Sequence, residues 1–271
     1  MNWNKLIEQS PPKQLWVEVN DYVLHAHQWH HSNAFTMVFI HGAIANNTWW
    51  QHIASQFKTG NILSIDLSGH GLSDWHNPYS LHQHALEVSK LVESYAIGPV
   101  YIVGHSYGGA VAMLAKSMVS AKHIVMVDTP LYIVLDHQNP SSKPYNKYVF
   151  ASIEEAISRF KPIPNQPIED TKLLQLIAKS SIKKVEKGYT WQFDPVFHCR
   201  KMTDEDQEII QKNAEGMSYL YGEYSPFATE SALTNAKNLK MNLTKVPGSY
   251  HAVMIDAPKF LFEHLNNLTN I

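Results

Sequence analysis

Apolar residues along the chain fall into short runs separated by stretches of helical spacing. Leu15–Val19 (LWVEV) and Tyr22–Trp29 (YVLHAHQW) alternate around Asn20-Asp21, which predicts a hairpin. Thr36–Ile40, Asn61–Leu67, Tyr101–Val103 and His123–Val127 are continuous and apolar, the pattern of strands buried on both faces. Helical patterns lie between them. Asn47 or Thr48 can cap a helix carrying Trp49, Trp50, Ile53, Ala54 and Phe57. Ser80 caps another that runs to Tyr95, with Leu81, Ala85, Val88, Leu91 and Val92 at helical spacing, and Gly109–Ala115 reads as a helix of small residues. Strands alternating with helices predict a mostly parallel sheet flanked by helices, an α/β architecture.

From Leu131 the rhythm breaks. Residues up to about Ala214 carry prolines at 140, 144, 162, 164, 167 and 195, and show helical pieces at Ser152–Phe160 and Thr171–Lys184 without strands. Phe150, Phe160, Trp191, Phe193 and Phe197 require burial, so this stretch is folded and is not a linker. The strand–helix pattern resumes with strands at Met217–Tyr221 and Met241–Val246 and helices at about Thr229–Lys237 and Pro258–Leu268. Residues 1–130 and 216–271 are therefore expected to form one core, and 131–215 a mainly helical cap inserted into it.

Composition narrows the partners. With 271 residues, 44% hydrophobic and 17% charged, the chain can bury a substantial core, and its net charge of −2 points to neither nucleic acid nor an anionic membrane. The single cysteine, Cys199, excludes an internal disulfide and a Cys-based zinc site. The first residues lack an apolar segment and no window spans a bilayer, so a soluble, cytoplasmic protein is expected.

The chemistry concentrates in Val100–Met113 (VYIVGHSYGGAVAM), where a strand, Gly104-His105-Ser106-Tyr107-Gly108 and a helix follow in order. That is the context of a nucleophile elbow, a serine on a strained turn whose glycines remove side chains that would clash. Three further segments join it: His41-Gly42-Ala43 after the third strand, Asp66–Asp74 (DLSGHGLSD) after the fourth, and Pro247–His251 followed by Asp256-Ala257-Pro258. In this order and spacing the chain resembles the α/β-hydrolase superfamily, as a serine-nucleophile, cap-bearing, esterase- or lipase-like member, over nearly its whole length except the insertion.

The resemblance implies roles for individual residues. Ser106 would be the nucleophile and His251 the base that takes its proton and returns it to a leaving group. The backbone N–H groups of Ala43 and Tyr107 would form the oxyanion hole. The acid departs from the family pattern, because Ser225 stands where an Asp is usual. Two carboxylates can replace it. Asp128, at the end of the sixth strand, is preferred, since some relatives draw their acid from that position, and Glu223 is the second choice.

The 16 histidines include His25/His27 and His82/His84, but no carboxylate or cysteine cluster joins them. They read as solvated surface residues, with no metal site and no cofactor expected. The glycines near Ser106 lack the Lys-[Ser/Thr] of a phosphate loop, which sets aside nucleotide binding. His105, Tyr107, Trp49 and Trp50 read as packing residues or pocket walls. The first functional reading is a hydrolase using a Ser-His-acid triad and an acyl-enzyme on a carboxylic ester, thioester or related small acyl substrate. Same-triad relatives also run lyase, acyl-transfer and C–C hydrolysis reactions. A reading of a different class, a ligand-binding protein with weakened catalysis, rests on the missing acid at position 225. Substrate identity and oligomeric state are not encoded in these patterns.

Overall fold

A computed structural model describes residues 1–76, 78–131, 148–197 and 203–269; Cys199 lies outside them. The main sheet has eight strands: β1 (Lys13–Val19), β2 (Tyr22–His30), β3 (Thr36–Ile40), β4 (Asn61–Ile65), β5 (Val100–His105), β6 (Ala121–Val127), β9 (Ser218–Gly222) and β10 (Asn242–Val246). Their spatial order is β1-β2-β4-β3-β5-β6-β9-β10. β1 and β2 form the expected hairpin, with Val19 opposite Tyr22 and Asn20 in the left-handed region (φ 54°). From β4 to β10 every pairing is parallel.

Helices cover both faces. On one side, α3 (Leu81–Tyr95) and α4 (Tyr107–Ala115) pack with α7 (Asp204–Asn213) and α8 (Glu230–Asn238) on Val38, Ile40, Leu63, Ile102 and Tyr219. On the other, α1 (Trp3–Gln9), α2 (Gln51–Ala54), α9 (Val253–Asp256) and α10 (Pro258–Thr269) cover Met37, Phe39, Ile62, Val103 and Val125. Alternate residues of the same strands thus feed two cores, which is why the central strands read as unbroken apolar runs. Ser80 caps α3 through the amide of Gln83, and Thr229 caps α8 through Ala232. The turn before α2 is capped by Asn46, one residue earlier than expected, and runs first as a 3₁₀ turn over Asn47–Trp50.

Among its described residues, the stretch between β6 and β9 adds no strand to the main sheet, but it is not strand-free. Helix α5 (Ile153–Arg159) is followed by α6 (Thr171–Ser180), and the helical pattern predicted to reach Lys184 stops four residues early. Ser181 turns its hydroxyl back onto the carbonyl of Ile177, and Ile182–Val185 (β7) pairs with Gly188–Trp191 (β8) as a small antiparallel hairpin. Gly188, at φ 138°, supplies the turn conformation that joins the two strands of this hairpin. The N-terminal helix α1, which the apolar pattern does not announce, is tied to this region by the Trp3 indole N–H donating to Asp170 at 2.7 Å. Among the described residues no helix is long and apolar enough to cross a membrane.

Many histidines are buried, against the expectation of a solvated set. His25 and His27, both on β2, are buried, and His41, His52, His70, His84 and His105 are all nearly inaccessible. Pairing explains part of this: His25 Nδ1 meets Asp66 Oδ2 at 2.7 Å, and His84 Nδ1 meets the Tyr107 hydroxyl at 2.7 Å. Burial, which disfavours the cation, pushes His27, His41 and His52 down to about 4. An unfolded chain titrates these groups near 6.5, so on acidification it takes up protons that the folded chain refuses. Stability is therefore full above about pH 6.5 and is lost as the pH falls toward about 4. We expect the melting temperature to drop on the order of 10 °C between about pH 7.5 and pH 5, and the drop to shrink in His52→Gln. A melting temperature flat across that window contradicts this account.

Candidate active site

Ser106 sits between β5 and α4 at φ 52° and ψ −118°, a conformation costly for a residue with a Cβ. Its surroundings hold it there. The Ser106 amide donates to Val127 O at 2.9 Å, and its carbonyl accepts from Gly109 N at 3.0 Å. Strand and helix approach so closely that a Cβ on Gly104 would strike the Gly108 carbonyl, and one on Gly108 would strike the carbonyl of His41. The side chain of Ser106 is half-buried and faces a cavity of about 540 Å³ that His251, Gly42, Ala43 and His105 also line. The N-terminus of α4 opens beside it, bringing the positive end of a helix to the serine.

His251 lies on the loop between β10 and α9. Its Nδ1 stands 2.6 Å from Asp128 Oδ2, with both side chains almost wholly out of solvent. Asp128 follows β6 in the left-handed region (φ 49°), and its other oxygen accepts the Gly222 amide at 2.8 Å. Ser225 donates its hydroxyl to the same Oδ2 that meets His251, so the residue at the position where an acid was expected contacts one of the two candidate carboxylates. Glu223 is elsewhere. It pairs with Lys245 at 2.9 Å and accepts the Gly248 amide at 3.0 Å on the protein surface. The Gly248 amide and the Lys245 ammonium hold its carboxyl below the usual range. Of the two candidate carboxylates, the structure brings Asp128 to His251 and leaves Glu223 away from it.

The imidazole of His251 is fixed on its faces as well. The His105 ring lies 4.6 Å away and its Nε2 donates to the His251 carbonyl at 2.9 Å, while Phe227 packs edge-on at 4.5 Å. The loop itself is held by a residue that sequence reasoning missed. Gln166, from the segment between α5 and α6, accepts the Ala252 amide at 2.9 Å and donates to Asp256 at 2.8 Å, and Asp256 in turn accepts the Tyr250 amide at 2.8 Å. Nothing in the local pattern around Gln166 signals this long-range contact.

The loop bearing Ala43 is shaped by two buried histidines. His41 Nδ1 donates to Gly42 O at 2.7 Å, so Nε2 is the acceptor for the Leu67 amide at 3.1 Å. His70 likewise donates from Nδ1 to Ser68 O at 3.0 Å and accepts the Ile44 amide at 3.2 Å. Both stay neutral because burial lowers their affinity for a proton. Each lies within a recognisable motif, but only tertiary contact reveals that both brace the same loop. The remaining flanking residues divide. Tyr107 turns its ring into the core against His84 and Phe197, whereas His105 lines the cavity. Trp50 is core and Trp49 is a cavity wall. Of the insertion aromatics, Phe160, Trp191 and Phe193 line the cavity, while Phe150 and Phe197 do not. No cluster of three or more His, Cys, Asp or Glu side chains among the described residues can hold a metal ion.

A family model described as "Alpha/beta hydrolase family" matches residues 37–263. The chain belongs to the α/β-hydrolase family. Lipase LipV of Mycobacterium tuberculosis is 34% identical over 90 residues, a match covering 33% of this chain and 34% of that protein. The alignment therefore spans about a third of the lipase's length. The 2-(acetamidomethylene)succinate hydrolase of Mesorhizobium japonicum is 23% identical over 256 residues, covering 85% of this chain and 86% of its own. Among solved structures, an esterase from Mycobacterium tuberculosis superposes with a TM-score of 0.79 at 20% identity, covering 99% of this chain and 96% of the esterase. The mostly parallel, eight-stranded sheet superposes on the fold of that esterase.

The Gln166 bridge makes a specific prediction for this α/β-hydrolase. Gln166→Ala removes the acceptor of the Ala252 amide, a loss of about 1 kcal/mol or somewhat more. Hydrogen exchange at that amide should accelerate roughly tenfold while strand amides of β5 and β6 keep their protection. Unchanged exchange at Ala252 would mean that the loop does not depend on Gln166.

Proposed function

We propose that the protein is a serine hydrolase that acts on carboxylic esters, thioesters or related small acyl compounds through an acyl-enzyme. The observation carrying this reading is the 2.6 Å contact of His251 Nδ1 with buried Asp128, in a site where His251 and the elbow residue Ser106 line one cavity. In the proposed mechanism Asp128 fixes the tautomer with the proton on Nδ1, leaving Nε2 of His251 to take the Ser106 proton as Oγ attacks the acyl carbon. The Asp128 charge then stabilises the imidazolium. The amides of Ala43 and Tyr107 receive the developing oxyanion, and the His41 and His70 braces keep the Ala43 loop in place for that purpose. Collapse of the tetrahedral adduct expels the leaving group, protonated by His251. Water, activated by the same histidine, then attacks the acyl-enzyme and releases the acid.

The segment 131–215 serves as the cap in this reading, because Phe160, Trp191 and Phe193 wall the cavity above the serine. A carboxylate on the imidazole favours this reading over the ligand-binding alternative, which rested on Ser225. The names of the relatives, a lipase, an esterase and a hydrolase of an amide-bearing dicarboxylate, agree with acyl chemistry.

A fluorophosphonate probe and a panel of acyl esters test the proposal. Wild type should label stoichiometrically, and Ser106→Ala should neither label nor turn over ester. Asp128→Asn should lose on the order of 10⁴ in kcat, whereas Glu223→Gln should stay within about tenfold of wild type. Labelling that persists in Ser106→Ala, or an Asp128→Asn variant as active as wild type, would refute the assignment.

A further inference from the structure

The cavity is apolar along Trp49, Phe160 and Trp191, yet Arg159 and Lys161 also line it, and among the described residues no Asp or Glu does. Two cations thus face an aromatic cavity with no described counter-charge on its walls. Some lysines elsewhere find acidic partners: Lys90 meets Glu93, Lys240 meets Glu215 and Lys245 meets Glu223. Among the described residues, neither Arg159 nor Lys161 makes an ion pair or a side-chain hydrogen bond. Their backbone is nonetheless well seated. Arg159 ends α5, the Phe160 ring packs against Trp49 at 6.0 Å and Trp191 at 5.7 Å, and buried Pro162 restricts the backbone of Lys161. An aromatic anchor and a proline thus hold two exposed cations over the cavity.

We propose that Arg159 and Lys161 recognise an oxyanion, a carboxylate or a phosphate monoester, on the part of the acyl substrate remote from the scissile bond. This rests on the hydrolase reading above and names its substrate class: an apolar spacer along the aromatic walls, ending in an anion. A guanidinium fork beside an ammonium suits either group, since both offer paired oxygens to N–H donors. Because both cations are solvent-exposed, each contact is modest and sensitive to salt.

The test compares p-nitrophenyl esters of hexanoic acid, adipic acid and ω-phosphohexanoic acid. For wild type, kcat/KM for at least one anionic ester should exceed that of the hexanoate by roughly five- to thirtyfold, mostly through KM, and added salt should shrink the ratio. Which anionic ester leads identifies the group recognised. In an Arg159→Gln, Lys161→Gln double variant the ratio should fall toward one. Arg159→Lys should retain much of it, and Arg159→Glu should invert it. A wild-type ratio at or below one, or a ratio unchanged in the double variant, overturns the proposal. If folded wild type cleaves none of the esters, the hydrolase reading fails, and calorimetric titration with adipate and with hexyl phosphate decides the anion site separately. Binding to wild type that is lost in the double variant supports the site, and equal binding or none overturns it.

Discussion

A carboxylate with no exposure to water can persist only where donors converge on it, and Asp128 meets that condition with partners from two other parts of the chain. The Gly222 amide comes from the end of β9 and the Ser225 hydroxyl from the turn after it, and the His251 ring comes from the loop after β10. These loops lie side by side because β6, β9 and β10 are adjacent and parallel, so their C-terminal ends share one edge of the sheet. The strand order is therefore a precondition of the polar cluster. Removing one donor would leave a buried charge short of partners, which makes the three loops mutually dependent for their positions.

A second device operates on the opposite flank of Ser106. His41 and His70 act as rigid, neutral spacers between backbone segments, each donating from Nδ1 and accepting at Nε2. Imidazole suits this task because a single ring can satisfy a carbonyl and an amide about one ring-width apart. Deep burial keeps both rings in the one-donor, one-acceptor form that the bracing needs.

The core strands were legible because burial on both faces leaves continuous apolar runs, and the elbow was legible because backbone contact admits only glycine at 104 and 108. The placement of Asp128 beside His251 was readable only as a preference, since two carboxylates occurred near the right strand ends and spacing alone does not say which one turns inward. What separates them is solvent: Glu223 reaches a lysine at the surface, while Asp128 has no water to turn to. The histidine count misled for the same reason. A His in an alternating strand looks like a solvated residue until its partner, Asp66 for His25, is brought from a distant strand. The β7–β8 hairpin was missed because Ile182 continues the spacing of α6, and the helix ends through a serine back-bond that carries no strong sequence signal.

The chain leaves the sheet after Asp128 and rejoins it at Ser218, on a strand hydrogen-bonded to the one it left. The Asp128 amide donates to Leu220 O, and the Asp128 carboxylate takes the Gly222 amide, so exit and re-entry are stitched together about one strand spacing apart. An excursion that begins and ends at the same seam can change in length at little thermodynamic cost, because closure entropy grows only with the logarithm of the loop. The seam is also where the buried carboxylate sits. The architecture thus separates the charged cluster from much of what lies over it: the covering segment can vary as long as a contact like that of Gln166 still holds the His251 loop.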